Sequence, residues 1–203
     1  MQSLGRRSVC ARFTPALLVG LVLALSPAAL SAAEKLEERY RAFAVAMQAG
    51  QSGTLEFVIT RWSTEEERAL LINTLVQKGQ EETVKLLRKQ KETGWTRAPG
   101  NVSMTAFPSV RLHYAHEVEQ DGKRSVVLCT DRPIGMLEAA RGGRSLEYDI
   151  SMIAMELHVE DGKQVGEGKL FYGMKIGYDK EKNTLAIESV LNEPVRLTNI
   201  ARE

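Results

Sequence analysis

Two carboxylates and an imidazole fall within one short stretch of this sequence. Met155-Glu-Leu-His158 and Gly166-Glu-Gly-Lys169 flank the pair Asp161-Gly162, a two-residue hairpin signal. If Glu160 faces Lys163, Glu156 stands directly across from Glu167, with His158 two residues along the same face and Lys169 on the diagonal. Like charges held across a strand pair raise the pKa of one carboxyl, which equips the cluster for acid–base work or for a divalent metal ion. Glu156, His158 and Glu167 are therefore the catalytic candidates of a hydrolase or metal-dependent enzyme. The simpler reading is a solvated ionic ladder: Lys169 and Lys175 are placed to neutralise the acids, no metal-ligand spacing accompanies them, and a one-residue slip dissolves the arrangement.

The other chemical signals are sparser. His113 and His116 form His-x-x-His, which on a strand sends the two rings to opposite faces, so they do not chelate one ion. There is no Gly-x-Ser-x-Gly elbow, phosphate-cradling glycine loop, Cys-x-x-Cys pair or His-Glu-x-x-His, and nothing joins Ser109 or Ser151 to a histidine. No metal or cofactor is implied. The basic run Lys85-Leu-Leu-Arg-Lys-Gln-Lys91 offers a face for an anionic partner, but Leu86 and Leu87 interrupt it and residues 34–203 are acidic overall, so its simpler reading is the wet side of a helix. Thr130-Asp-Arg-Pro133 reads as a turn with a local Asp131–Arg132 ion pair ahead of a loop that reaches Gly142-Gly143.

Residues 1–33 contain three of the chain's 27 basic residues and none of its 26 acidic ones. Arg6, Arg7 and Arg12 precede the uncharged run Ala16–Leu25, then Ser26-Pro27 and the small residues Ser31-Ala-Ala33. That order predicts a secretory signal peptide cleaved near Ala33, the run being half of what a membrane-spanning helix needs. It predicts a periplasmic or secreted protein with no transmembrane helix after cleavage. Residues 34–203 then form one domain of net charge −2, which has no global field for nucleic acid. Cys129 is its one cysteine, so stability rests on a core rather than a disulfide, and the thiol reads as a small buried hydrophobe.

The elements that must position these residues follow from periodicity. Leu36, Tyr40, Phe43 and Met47 recur every three or four residues and predict a helix over 34–49. Leu55, Phe57 and Ile59 alternate as a strand. Ser63-Thr-Glu-Glu66 marks a helix start, with Leu71, Ile72, Leu75 and Val76 inward and Gly79 as its stop, and a second short helix runs over 80–91 with Val84 and Leu87 inward. Residues 92–108 read as a long loop or irregular edge strand. Asp121-Gly122 predicts a hairpin that sets Tyr114 across from Cys129 and His116 across from Val127, with Leu112 and Val118 on the same buried face. The second hairpin sets Met155 and Leu157 against Gly168 and Gly166, Ile153 against Leu170, and Ser151 against Tyr172. Leu170, Tyr172, Met174, Ile176 and Tyr178 alternate along one long strand, and two closing strands contain Leu185/Ile187 and Val195/Leu197. The predicted class is α+β: two to three N-terminal helices packed on a curved antiparallel meander sheet of about six to seven strands.

Taken together, Ile59-Thr-Arg-Trp-Ser63, Leu86-Leu-Arg-Lys-Gln90, Thr130-Asp-Arg-Pro-Ile134, Gly166-Glu-Gly-Lys-Leu170 and Glu193-Pro-Val-Arg-Leu-Thr-Asn199 resemble an uncharacterised family of exported bacterial proteins, a domain of unknown function. The resemblance spans most of residues 34–203 and implies export and a shared fold; it brings no activity and no site residue. The reading that follows is a non-catalytic exported domain that binds a small apolar ligand or an envelope protein partner, with Tyr172, Met174 and Tyr178 as candidate ligand-binding residues on one strand face. Core packing is the simpler role for those three.

Overall fold

Tyr40, Ala42, Ala44 and Ala46 alternate with Arg39, Arg41, Phe43 and Val45, and this period of two prevails over the spacing expected to make a helix there. The computed structural model, which describes residues 37–99, 109–132, 149–179, 184–190 and 193–203, places strand β1 at Glu38–Ala46. Its four alternate residues are buried, whereas Phe43 and Met47, members of the expected helical stripe, are 44% and 67% exposed. Alanine hides the alternation, because it adds little hydrophobic signal and has the highest helix propensity. Pairing along both edges of the segment decides the outcome.

A 3-10 turn at Met47–Ala49 leads into β2, Gln51–Ile59. Two helices follow, α1 at Glu65–Lys78 and α2 at Gln80–Leu87. The rest is strand: β3 Gly94–Arg97, β4 Val110–Leu112, β5 Tyr114–Gln120, β6 Lys123–Thr130, β7 Ile150–Glu160, β8 Lys163–Asp179, β9 Thr184–Val190 and β10 Val195–Arg202. These ten strands form one antiparallel sheet in the order β4-β3-β2-β1-β10-β8-β7-β6-β5, with β9 also on β8. Its two ends, β4 and β5, are consecutive in the chain. Leu112 pairs with Gly94 on β3, and one residue later the His113 N–H donates to the Cys129 carbonyl on β6 at 3.0 Å. The sheet thus curls into a nearly closed barrel. The expected α+β class is corrected: the protein is mostly antiparallel sheet, with ten strands and only two short helices among the described residues. None of those helices is long and apolar enough to cross a membrane. The expected signal peptide, residues 1–33, lies outside the described residues, as do 100–108 and the Gly142-Gly143 loop.

Both hairpin registers are as the Asp-Gly pairs predict. Asp121, Gly122, Asp161 and Gly162 all have positive φ, as a two-residue type I′ turn requires, and Gln120 pairs with Lys123 and Glu160 with Lys163. The barrel interior is filled by Tyr40, Leu55, Phe57, Leu128, Ile153 and Leu157 with their neighbours. Two irregularities reverse which residues face inward. At His113 the inward side changes from Leu112 to Ala115, so Leu112 does not share the Tyr114 face and Val118 is 51% exposed. In β8, Met152 pairs with Phe171 but Ile150 with Met174, so β8 holds one extra residue there and Ser151 is not set against Tyr172 as expected. Gly173, at φ 60°, supplies the left-handed backbone of this bulge. Before the bulge Leu170 packs inside the barrel; after it Met174 joins a separate cluster with Val84 and Ile150.

One end of the barrel is closed by charge. Arg124 on β6, 15% exposed, donates to the Glu38 carboxylate at 2.9 and 3.2 Å, to the Tyr40 hydroxyl at 2.7 Å and to the Gln164 side-chain amide oxygen at 3.1 Å. It also pairs with Glu117, and its guanidinium lies 5.2 Å from the centroid of the Trp62 ring. Burial, then the neighbouring Glu38, push the Tyr40 hydroxyl well above its ordinary pKa. It stays protonated and donates to Glu38 at 2.7 Å.

Candidate functional site

The outer face of the barrel has two characters. Over β1–β3 it is ionic: Glu56, almost fully buried, is held by Arg97 at 2.8 Å and Arg41 at 3.1 Å. Desolvation pushes its carboxyl pKa up, and the two guanidinium groups outweigh that and bring it below the ordinary value. Over β5–β8 the outer face is ionic near the Asp-Gly turns, where Glu156, His158, Glu167 and Lys169 are exposed, and largely apolar towards the other end, where α1 and α2 lie across it.

Polar contacts at its margins hold the helix pair in place. Thr64 and Glu67 close a capping box at the start of α1, with side-chain bonds of 3.2 and 2.9 Å. Arg61 grips Glu67 at 2.8 and 3.1 Å and the Lys91 carbonyl at 2.6 Å. At the α1–α2 junction the Gln80 amide takes the place of a strand: it donates to the Met174 carbonyl at 2.8 Å and accepts from the Ile176 N–H at 2.7 Å. At the end of α2 Arg88 donates to Asp131 and Asp149, each at 2.9 Å. The expected Asp131–Arg132 ion pair is thus replaced by one to Arg88. Of the basic run, Lys85 is paired with Glu81 and Glu82, so two of its four cations are already engaged.

Between these margins lies a partly open cavity of about 390 Å³. Leu71, Ile72 and Leu75 of α1 and Leu87 of α2 line one wall. The opposite wall is Val127 and Cys129 of β6, Ile150 and Met152 of β7, and Met174 and Ile176 beyond the β8 bulge, with Ile187 of β9 at the edge. Arg68, Thr83, Tyr114 and His116 add the remaining polar groups. The Thr83 hydroxyl is bonded to the Gly79 carbonyl at 2.9 Å. Desolvation raises the Cys129 thiol from 9.0 to about 12 and the Tyr114 hydroxyl from 10.0 to about 12, the latter against the pull of Arg68 beside it.

A raised thiol pKa means less thiolate at a given pH, offset in part by a more nucleophilic thiolate. Cys129 is therefore expected to react with iodoacetamide at pH 8 about thirtyfold or more slowly than free cysteine. Mass spectrometry of the alkylated chain measures this; a rate equal to that of free cysteine would refute a desolvated thiol.

The residues singled out from sequence separate. Glu156 pairs with Glu167 as the register predicts, with His158 further along β7. All three are exposed, stand outside the cavity, and belong to no metal-binding group among the described residues. Of Tyr172, Met174 and Tyr178, Met174 lines the cavity; Tyr172 is buried but does not line it, and the Tyr178 side chain lies outside the described residues. The single face expected for them is broken by the Gly173 bulge. Sequence reasoning placed Tyr114, His116, Val127 and Cys129 together and missed Arg68. The overlooked signal is α1 itself, whose apolar residues exceed one face: Leu70 and Val76 are 51% and 39% exposed.

Fold and site together define an antiparallel barrel with a helix-covered apolar cavity on its outer face. Compared with family models, curated proteins and solved structures, the chain matches none.

Proposed function

We propose that this is a non-catalytic binding protein that takes a small apolar ligand into the cavity between the helix pair and the barrel, and that it acts after export from a bacterial cell. The carrying observation is the cavity itself. The barrel already has a filled core, yet a second apolar space of about 390 Å³ stays open beside it, within the 300–1,000 Å³ range of small-molecule sites. Polar contacts at its margins fix the helices, so the space persists without the helices collapsing onto the sheet. Export is supported by the signal-peptide pattern of residues 1–33 and by the resemblance to exported bacterial proteins.

The test is uptake of N-phenyl-1-naphthylamine, whose fluorescence rises in apolar surroundings. The protein is expected to bind it at micromolar concentration, and Val127→Trp, which fills the cavity from the sheet side, is expected to weaken binding at least tenfold while the circular dichroism spectrum is kept. No enhancement, or enhancement untouched by Val127→Trp, would overturn the reading.

A further inference from the structure

We infer that the ligand is a single-chain amphiphile with a carboxylate head, its chain against the apolar walls and its head at Arg68 and Tyr114; this rests on the cavity being the ligand site. The polar groups of the lining do not contribute equally. Thr83 is bonded within its own helix and Cys129 is a desolvated, protonated thiol. What remains is Arg68 from α1 and Tyr114 and His116 from β5, the two rings 6.2 Å apart and Arg68 beside the Tyr114 hydroxyl. One side of an otherwise apolar space is therefore polar, which is the division an amphiphile presents.

The sign of the head follows from charge. Among the described residues, Arg68 is the one formally charged member of the lining and no acid lines the cavity. Its partner Glu65 lies outside the lining, at 3.4 Å with its side chain 71% exposed. Such an exposed i,i+3 pair is weak and exchangeable. A ligand carboxylate offers the guanidinium two parallel bonds at shorter range, and the Tyr114 hydroxyl, held protonated by desolvation, supplies a further donor. A cationic head would meet Arg68 as a like charge, and an alcohol would leave the second guanidinium donor without an acceptor. The volume suits one chain: apolar cavities of about 150 Å³ take up benzene, and this one is more than twice that size.

The experiment is displacement of N-phenyl-1-naphthylamine from the full chain by dodecanoate, dodecanol and dodecyltrimethylammonium, each below its aggregation concentration. Arg68→Gln is expected to weaken dodecanoate about tenfold and to leave dodecanol within about twofold, Arg68→Lys, which keeps the charge but not the two parallel bonds, to weaken dodecanoate by less than Arg68→Gln does, and the ammonium to gain from Arg68→Gln. Equal losses for dodecanoate and dodecanol, or no loss for either, would overturn the headgroup assignment while the naphthylamine binding leaves the cavity reading standing. If the naphthylamine itself fails to bind, the cavity reading falls first.

Discussion

Arg124→Met is expected to destabilise the protein by about 3–5 kcal/mol, read from the urea midpoint of unfolding. The side chain fits among Tyr40, Trp62 and Gln164, so shape is largely kept; charge is not. Glu38, with its side chain 8% exposed, would keep the Tyr40 hydroxyl and Arg202 at 3.7 Å as partners, too little for a carboxylate that has lost two guanidinium bonds. Arg124→Met combined with Glu38→Leu removes both charges, and replacing a buried pair by apolar groups is close to neutral, so the double variant is expected to recover most of the loss. A single variant within 1 kcal/mol of the parent, or a double variant no better than the single, would show that packing rather than charge closes this end of the barrel.

The second large effect is steric. A Cβ on Gly166 would lie 2.0 Å from the Glu156 carbonyl oxygen and 3.0 Å from the Leu157 Cα, both main chain of the adjacent strand. Neither atom can move without separating β7 from β8, so Gly166→Ala is expected to cost about 3 kcal/mol, at the upper end of overpacking losses. Gly177 is the control. Its Cβ would also meet an atom at 2.0 Å, but that atom is Oε1 of Glu188, whose side chain is 50% exposed. The carboxylate can swing away, and Gly177→Ala is expected to stay within about 1 kcal/mol of the parent. Thermal unfolding of the two variants side by side decides the matter; equal losses would mean that distance alone, and not what stands at that distance, sets the cost.

Much of the strand half of the fold was legible. Asp121-Gly122 and Asp161-Gly162 specify their turns chemically, so the registers from Tyr114↔Cys129 to Glu156↔Glu167 followed by counting. What was illegible had physical causes. In β1 the barrel-facing positions after Tyr40 are alanines, which reads as helix and becomes strand only through partners distant in sequence. In β8 an unbroken apolar alternation from Leu170 to Ile176 conceals the extra residue at the bulge, because glycine marks permission to bend rather than an instruction to do so. The cavity was visible only in part: Tyr114, His116, Val127 and Cys129 of its sheet side follow from one hairpin register. Arg68 was not, since its place depends on how α1 crosses that hairpin, and no local pattern encodes a crossing.

The place of β10 bears on how the barrel comes to exist. Strands β1 to β4 form one run of sequential neighbours and β5 to β8 another, and β10 lies between β1 and β8 as the piece that joins them. Its pairing partners, Phe43↔Thr198 on one side and Leu170↔Val195 on the other, include contacts more than 150 residues apart in sequence. Neither run buries its inner face until Val195, Leu197 and Ile200 arrive. Closure is therefore a late, long-range event with a high loop-closure entropy, the regime of slow folding. Until residues 195–202 have emerged from the ribosome, β1 and β8 lack the strand that joins them, and the edges left unpaired are open to a chaperone.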